Sequence, residues 1–273
     1  MNSLKMYCLS LSNSHLKKIQ NINYTPVGLG NDNFDKQWIR DNTNDHISKK
    51  NSFYGENTFH YWLWKNDLKN VFNKDWVGFC HYRRFWLKDS IKKEFKNLKQ
   101  SIIQYPSNLW KNYEIVLGDE LYVNKTKISK ILKHGKRQLL KNPIVFLSKD
   151  KMTIKVHFDM YHGFGNLDKA IDLLNKEDRE DFRNFVNTNV SFNPFNMFIC
   201  KSHKLLNDYY NSLFPWLEKC ESLFGFQADQ KYGLIRIYGF LAERYLSYWF
   251  KKNSNYILWP IQHYDISNEQ LNL

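Results

Sequence analysis

Short apolar runs alternate with longer segments of helical periodicity along most of the chain. The apolar runs hold few polar residues, and two end in or next to glycine, which is typical of strands buried on both faces of a sheet. The predicted strands are Lys5–Ser10, Thr25–Gly30, Asp75–Cys80, Glu114–Leu117 and the second part of Ser191–Cys200. The spacing of apolar residues also predicts helices at Tyr54–Val71, Lys127–Leu140, Asn166–Leu174, Leu205–Phe224 (interrupted at Pro215) and Gly239–Phe250.

This alternation predicts an α/β fold with a mainly parallel central sheet and flanking helices. Ligands of such sheets bind beyond the carboxyl ends of the strands. The candidate binding segments are therefore those that follow the predicted strands: Gly30-Asn31-Asp32, His81-Tyr82-Arg83-Arg84 and Gly118-Asp119-Glu120. The polar stretch 31–51 is predicted to be a loop.

The chain of 273 residues is strongly basic, with a formal net charge of +13. A basic surface attracts phosphates, so nucleic acid, an anionic membrane face and a diphosphate-carrying substrate all fit. The basic residues are spread along the sequence, which argues against a nucleic-acid-binding stripe. The densest stretch, Lys125–Lys155, has cations at helical spacing and predicts either a solvated helix face or a surface for anionic lipid.

Four cysteines are present, and none forms the C-x-x-C pair of a zinc site. The first residues carry no long apolar stretch, and no run of about 20 apolar residues exists. We therefore expect a cytoplasmic protein, with peripheral attachment to the inner membrane face as the alternative.

The most informative segment is His81-Tyr82-Arg83-Arg84. Two adjacent arginines after a buried strand are costly to desolvate unless an anion meets them. Guanidinium groups suit the oxygens of a diphosphate, and His81 could bind phosphate, act as an acid or ligate a metal. The alternative is that both arginines form structural ion pairs.

Two further regions contain carboxylates for which both a functional and a structural role fit the sequence. Asp41, Asp45, Asn51 and Glu56 belong to a polar segment that could read a nucleotide or could cap the following helix. Glu243 lies in an apolar helix, where it could be a general base or half of a buried ion pair.

Several weaker candidates complete the set. Asn193 and Asn196 could bind a sugar with Phe195 or Phe198 as a stacking wall, or could form a turn before a strand. Asp119 and Glu120 could be catalytic or could belong to a surface turn. His157, Asp159 and His162 match no trusted metal spacing. The chain lacks a P-loop, a dinucleotide fingerprint, an H-E-x-x-H string and a nucleophile elbow.

Five strings occur in a fixed order: DNTNDHISKKN, GENTFHYWLWKN, WVGFCHYRRF, NPFNMFICK and GFLAERYLSYWF. Together they resemble a bacterial family long known as a domain of unknown function of capsular, exopolysaccharide and O-antigen gene clusters. The resemblance covers about residues 5–250. Asn44, His46 and Asn57 depart from the family pattern, which has Gly, Asn and Leu there.

The resemblance implies a glycosyltransferase (hexosyltransferase) with a GT-A-like, Rossmann-type sandwich. It implies a single domain, 1–273, with a nucleotide-sugar-binding half (1–125) and an acceptor half (126–273). The implied donor is a UDP-sugar, with UDP-galactopyranose or UDP-galactofuranose as examples, and the implied acceptor is a growing or lipid-linked glycan. The rival hypothesis is a non-catalytic nucleotide- or glycan-binding module of a polysaccharide assembly complex.

The resemblance also assigns roles. Donor binding would fall to His81, Arg83, Arg84, Asp41, Asp45, Asn51 and Glu56; acceptor binding to Asn193, Asn196 and Arg244; and base catalysis to Glu243 or Asp119. No Asp-x-Asp follows an apolar strand where a GT-A enzyme holds Mn²⁺ or Mg²⁺. His81-Tyr82-Arg83-Arg84 occupies that place, so fixed cations would replace the metal, while His81 leaves a metal open.

Overall fold

The computed structural model describes residues 3–71, 76–90, 97–125, 140 and 148–271. The chain forms two compact units that are interleaved along the sequence. The first, called here the sheet unit, comprises Met1–Asp119, Met197–Tyr210 and Phe250–Leu273. The second, called the helical unit, comprises Glu120–Asn196 and Asn211–Trp249. The predicted division into a donor half and an acceptor half at residue 125 stays a prediction.

The strands of the described residues are short, and most belong to the sheet unit. They are β1 (Leu4–Ser10), β2 (Thr25–Gly28), β3 (Ile39–Arg40), β4 (Trp76–His81), β5 (Arg84–Trp86), β6 (Ile115–Gly118), β7 (Leu121–Tyr122), β8 (Ser191–Phe192), β9 (Phe198–Cys200), β10 (Tyr256–Trp259), β11 (Ile261–Asp265) and β12 (Gln270–Leu271).

The main sheet has the order β10-β6-β9-β4-β1-β2-β3. Its neighbouring strands are parallel except around β9, which runs antiparallel to both β4 and β6. Strands β5, β11 and β12 extend the sheet by antiparallel pairing beside β4, whereas β7 and β8 form a separate pair in the helical unit. The predicted mainly parallel sheet is confirmed, and the carboxyl ends of β1, β2, β3, β4 and β6 point the same way.

The central strands are buried almost throughout, which explains why they are continuous apolar runs and do not alternate with polar residues. Much of the aromatic excess packs in the core of the sheet unit. The ring centroids of Trp76 and Trp110 are 5.3 Å apart, and those of Trp110 and Trp259 are 5.1 Å apart. Two buried indoles donate to backbone carbonyls, Trp86 to Phe79 at 2.8 Å and Trp259 to Leu87 at 2.7 Å.

Helices of the sheet unit are α1 (Leu16–Asn21), α2 (Asn51–Tyr54), α3 (Asn57–Asn66), α4 (Leu68–Val71) and α5 (Leu98–Ser101). Helices of the helical unit are α6 (Ile154–His162), α7 (Asn166–Ile171), α8 (Lys176–Thr188) and α10 (Tyr232–Ile235). Two longer helices, α9 (His203–Phe224) and α11 (Ile237–Asn253), contribute residues to both units. No helix of the described residues is long and apolar enough to cross a membrane.

Three local predictions are wrong. The stretch Tyr54–Val71 is not one helix, because Gly55 at φ +59° ends α2 and Asp67 ends α3. Pro215 does not interrupt α9, which continues through it to Phe224. His81 does not follow a strand; it is the last residue of β4. The predicted helix Lys127–Leu140 lies outside the described residues except for Leu140, as does most of the basic stretch around it.

Candidate functional site

The carboxyl edge of the main sheet brings several predicted residues to one side of the sheet unit. Because β1, β2, β3, β4 and β6 run in the same direction, the residues that end or follow them lie along this edge. We use "carboxyl edge" for these segments: 10–11, 28–30, 40–41, 81–84 and 118–119. Asp41, His81, Arg83, Arg84 and Asp119 all belong to it.

The segment 81–84 is a tight turn between β4 and β5, in which His81 pairs with Arg84. The turn is fixed from two sides. The Tyr82 N–H donates to the Leu9 carbonyl at 3.1 Å, and the Arg83 carbonyl accepts from Tyr264 N–H of β11 at 3.2 Å. This geometry holds Arg83 at the tip of the turn, while Arg84 is half-buried in β5.

Arg83 is an exposed cation without an ion pair within 4 Å among the described residues. Its guanidinium lies 4.7 Å from the centroid of the Tyr82 ring. The pKa of the Asp265 carboxyl is lowered: burial acts to raise it, but hydrogen bonds from Ser267 and the charge of Arg83 outweigh the burial. The Arg83 guanidinium thus packs against an aromatic ring, and its N–H groups could bind an anion from outside the protein.

Asp41, which follows β3, is the most unusual carboxylate of the carboxyl edge. It is 0% exposed, and burial raises its pKa above the ordinary value. The Thr58 hydroxyl is close enough to act against that shift, but neither carboxylate oxygen has a hydrogen bond of ordinary geometry within the described part of the chain. A buried polar group in this state is costly unless a ligand completes it.

Arg40 is a candidate that the sequence prediction missed. Its guanidinium donates to the Gly30 carbonyl at 2.8 Å and lies 4.3 Å from the centroid of the Phe34 ring. Gly28 makes room for that ring, because a Cβ there would lie 2.6 Å from Phe34 Cδ1. The Arg40 guanidinium is thus held by Gly30 and Phe34, and these contacts do not involve the carboxylate of the adjacent Asp41.

The other predicted donor residues of this region make structural contacts. Asn51 Nδ2 donates to the Gly55 carbonyl at 2.9 Å and to Thr58 Oγ1 at 3.1 Å, which fixes the turn between α2 and α3. Its Oδ1 would lie 3.7 Å from a Cβ at Gly30. Glu56 is half-buried at the start of α3 and makes no capping hydrogen bond.

Asp45 lies in an exposed loop that is fastened to α3. Asn66 Nδ2 donates to the Asp45 carbonyl at 2.8 Å, and Tyr61 Oη donates to Asp45 Oδ1 at 3.2 Å. Asn44 takes φ +53°, a conformation that favours glycine and that asparagine tolerates. The geometry here favours the loop-structure alternative for Asp45. It also explains why asparagine can stand where the family pattern has glycine.

Asp119 follows β6, and its Oδ2 accepts the Ile261 N–H at 3.3 Å. The preceding Gly118 lets Ile261 pack closely, since a Cβ would collide with the Ile261 side chain. Asp119 is half-buried. The Asp119 carboxylate is thus anchored at the carboxyl edge by its contact with β11.

The buried Arg244 and the half-buried Glu243 form an ion pair in the helical unit. Glu243 Oε2 accepts from Arg244 Nη1 at 2.8 Å, and Oε1 accepts the Phe195 N–H at 2.8 Å. Arg244 is 2% exposed, lies 4.2 Å from the Phe192 ring centroid and donates to the Phe240 carbonyl. Burial lowers the pKa of Arg244 to about 10, although the charge of Glu243 opposes the shift.

The remaining polar residues of the helical unit are also enclosed. Asn193 and Asn196 are 0% and 2% exposed, so together with Arg244 they offer little surface to a sugar, and the geometry favours a structural role. Burial, and secondarily the charge of Arg244, lowers the pKa of His157 to about 3. Asp159 accepts from Lys155 at 2.9 Å and from the Gly165 N–H at 3.0 Å.

The end of β4 does not carry the oxygen ligands that a divalent metal prefers. Mn²⁺ and Mg²⁺ prefer several oxygen ligands, whereas β4 ends in one imidazole followed by two guanidinium groups. Across the described ranges, no group of three or more His, Cys, Asp and Glu side chains could hold a metal ion. We therefore assign no metal ligand, and the role of His81 as a ligand stays untested.

Residues 9–254 match the model of a family described as a domain of unknown function, DUF4422. The chain belongs to this family. No curated protein matches it.

Two solved structures are similar. The apo structure of the bifunctional glycosyltransferase WbbM is matched with a TM-score of 0.64 and 22% identity, over 99% of this chain and 46% of that one. The chain thus spans about half of WbbM, and the likeness concerns the fold. The mannosyltransferase Ktr4p from S. cerevisiae gives a TM-score of 0.28 and 11% identity, over 89% of this chain and 62% of the other. The expected GT-A-like α/β sandwich is confirmed.

Proposed function

We propose that this chain is a glycosyltransferase that moves a hexose from a nucleotide-sugar donor to a growing glycan. The observation that carries the proposal is the state of the carboxyl edge: within the described ranges, the exposed Arg83 has no ion pair and the carboxylate of the buried Asp41 has no ordinary hydrogen bond. A ligand with a negative diphosphate and a hydroxyl- or N–H-bearing nucleoside would satisfy both. The fold shared with a region of WbbM supports the reaction class.

In this reaction an acceptor hydroxyl oxygen attacks C1 of the donor sugar, and the bond between C1 and the diphosphate oxygen breaks. Negative charge then grows on the leaving diphosphate. Arg83, with Arg84 and His81 in the same turn, would stabilise that charge. We propose a UDP-sugar as donor, with galactopyranose and galactofuranose as leading candidates, and a capsular, exopolysaccharide or O-antigen glycan as acceptor.

A base must take the proton of the acceptor hydroxyl. Of the two predicted bases we favour Asp119, because it lies at the carboxyl edge on which we place the donor. We further propose that Arg83 and Arg84 neutralise the leaving diphosphate in place of a divalent metal ion. We place the protein in the cytoplasm, at the inner membrane face when its acceptor is lipid-linked, because its net charge of +13 favours an anionic surface.

The test is a donor screen. The full chain is incubated with a set of UDP-sugars and octyl hexosides, with and without EDTA, and products are measured by mass spectrometry. We expect a glycosylated product that resists EDTA. Tight UDP binding without any product from any donor would support the non-catalytic module. Salt-dependent binding of RNA as tight as that of UDP-sugar would support a nucleic-acid partner.

A further inference from the structure

We propose that Tyr82 positions Arg83 for a diphosphate, and that His15 maintains this position by linking Ser10 to segment 264–267 at the end of β11. Tyr82 and His15 are then positioning residues of the anion site. The role towards the diphosphate rests on the proposed function, whereas the contacts among these residues do not. All of them belong to the sheet unit. We call residues 264–267 the latch.

The latch holds the turn 81–84 through backbone hydrogen bonds. The Tyr264 N–H donates to the Arg83 carbonyl at 3.2 Å, and the Ile266 N–H donates to the Tyr82 carbonyl at 3.1 Å. Lys18 Nζ donates to the Ile266 carbonyl at 2.7 Å, so α1 holds the same residue from its other side. The backbone of the turn therefore follows the position of the latch.

His15 fastens the latch to the carboxyl edge. Its ring is buried, with Nδ1 2.8 Å from Ser10 Oγ at the end of β1 and Nε2 3.1 Å from Ser267 Oγ. Either neutral tautomer completes both hydrogen bonds, because a hydroxyl group can donate or accept. Burial, which outweighs the nearby charge of Asp265, lowers the pKa of His15, so the neutral ring predominates at pH 7. Both ring nitrogens thus serve to join two parts of the sheet unit.

The Tyr82 ring connects this bridge to the cation. The ring centroids of His15 and Tyr82 are 5.0 Å apart, with 30° between the ring planes, and the Arg83 guanidinium lies 4.7 Å from the centroid of Tyr82. A guanidinium beside an aromatic ring is attracted to it and keeps its N–H groups for hydrogen bonds. A side chain that is oriented in advance loses less conformational freedom when its ligand binds. Tyr82 therefore strengthens diphosphate binding through Arg83.

The positioning role is tested by a double-mutant cycle on the full chain, with calorimetric titration of UDP into wild type, Tyr82→Leu, Arg83→Ala and the double variant. We expect Tyr82→Leu to weaken UDP binding about three- to tenfold in wild type and less than about twofold in the Arg83→Ala background. Tyr82→Phe retains the ring and is expected to restore the affinity. Equal losses in both backgrounds, or no loss in wild type, would show that Tyr82 does not act through Arg83.

The bridge is tested without any ligand by hydrogen exchange, measured by mass spectrometry on peptides that contain the latch. We expect His15→Ala to speed exchange of the latch amides about tenfold, since their acceptors lie in the turn and the latch is released from Ser10. Ser14→Ala removes an exposed hydroxyl group beside His15 and is the matched control. Ser267→Ala should act in the same direction and decides the question if His15→Ala does not fold. Exchange at the wild-type rate in Ser267→Ala and in folded His15→Ala would show that His15 does not hold the latch.

The two experiments separate the inference from the proposed function. Absence of UDP binding to wild type would refute the diphosphate site, and hydrogen exchange would still decide whether His15 holds the latch. UDP binding to wild type that Tyr82→Leu leaves unchanged would overturn the positioning role alone. If both parts are correct, His15→Ala weakens UDP binding about two- to fivefold, and this loss disappears in the Arg83→Ala background.

Discussion

The carboxyl edge of the sheet unit and the Glu243–Arg244 cluster of the helical unit contain the same kinds of charged side chain in opposite states. Glu243 and Arg244 pair with each other, and their other hydrogen bonds go to backbone groups and to His157. In the part of the chain that the structure describes, Arg83 is exposed and has no ion pair, and the buried oxygens of Asp41 have no ordinary hydrogen bonds. In the first arrangement the two charges compensate each other, although Arg244 Nε has no hydrogen-bond partner within the described residues, whereas we propose that a ligand compensates the charges of the second.

The difference shows how to separate structural charges from binding charges. A buried charge costs several kcal/mol unless protein groups compensate it. Where that compensation comes from the protein, removing one partner should lower stability. Where it would come from a ligand, removal should lower binding and leave stability unchanged or improved.

The largest expected effect is on stability in the helical unit. Arg244→Ala leaves Glu243 without its cation and removes packing against Phe192, so we expect a loss of about 3 kcal/mol or more in the free energy of unfolding. Urea denaturation measures it. Arg83→Ala serves as the matched control and should stay within about 0.5 kcal/mol of wild type. Similar losses of unfolding free energy in both variants would show that Arg83 and Arg244 contribute equally to stability, contrary to the proposed difference between the two regions.

Next is the effect of Arg83 on turnover. Arg83→Ala should lower kcat/KM about a hundredfold, because a preorganised cation at the leaving group is lost. The rate of UDP release from UDP-sugar measures it, with Lys88→Ala as a control that removes one exposed charge nearby in sequence. An unchanged rate in Arg83→Ala would show that this arginine is not part of the donor site.

The third expected effect is a pH dependence at Asp41. Burial raises its folded-state pKa above the ordinary 3.8, so folding favours the protonated form more than the unfolded chain does. Stability from this group is therefore present below the unfolded pKa and is lost as pH rises through the folded pKa. We expect Asp41→Asn to be more stable than wild type at pH 7, with the gain shrinking towards pH 4, and to bind UDP more weakly. A variant that is less stable than wild type at pH 7 would mean that protein groups do compensate the carboxylate.

The smallest expected effect concerns backbone strain at Asn44. Asn44 takes φ +53° in an exposed loop that is fastened to α3 through the neighbouring Asp45. We expect Asn44→Ala to cost about 1 kcal/mol and Asn44→Gly to stay within about 0.5 kcal/mol of wild type, as measured by urea denaturation. Equal losses in the two variants would show that the Asn44 side chain, and not its φ, matters.

Much of the sheet could be predicted because strands buried on both faces are continuous apolar runs, as in Lys5–Ser10 and Glu114–Leu117. Helix α8 was not predicted, since only Phe182 and Val186 of its 13 residues are buried and charged residues dominate its sequence. Strand β10 was also missed, because its alternating exposure follows from pairing with the distant β6.

The site was predicted in part for similar reasons. The segment 81–84 could be found because it follows a long apolar run. Arg40 could not, because β3 has only two residues and gives no pattern. The contact of His15 with Ser267 could not be predicted either, because the two residues are 252 positions apart in the sequence.

The central claim is that the carboxyl edge binds the diphosphate of a nucleotide-sugar through Arg83. Calorimetric titration of UDP into wild type, Arg83→Ala and Lys88→Ala tests it most directly. The account predicts that Arg83→Ala weakens UDP binding about ten- to hundredfold while Lys88→Ala matches wild type. UDP affinity that is equal in all three proteins would contradict the claim.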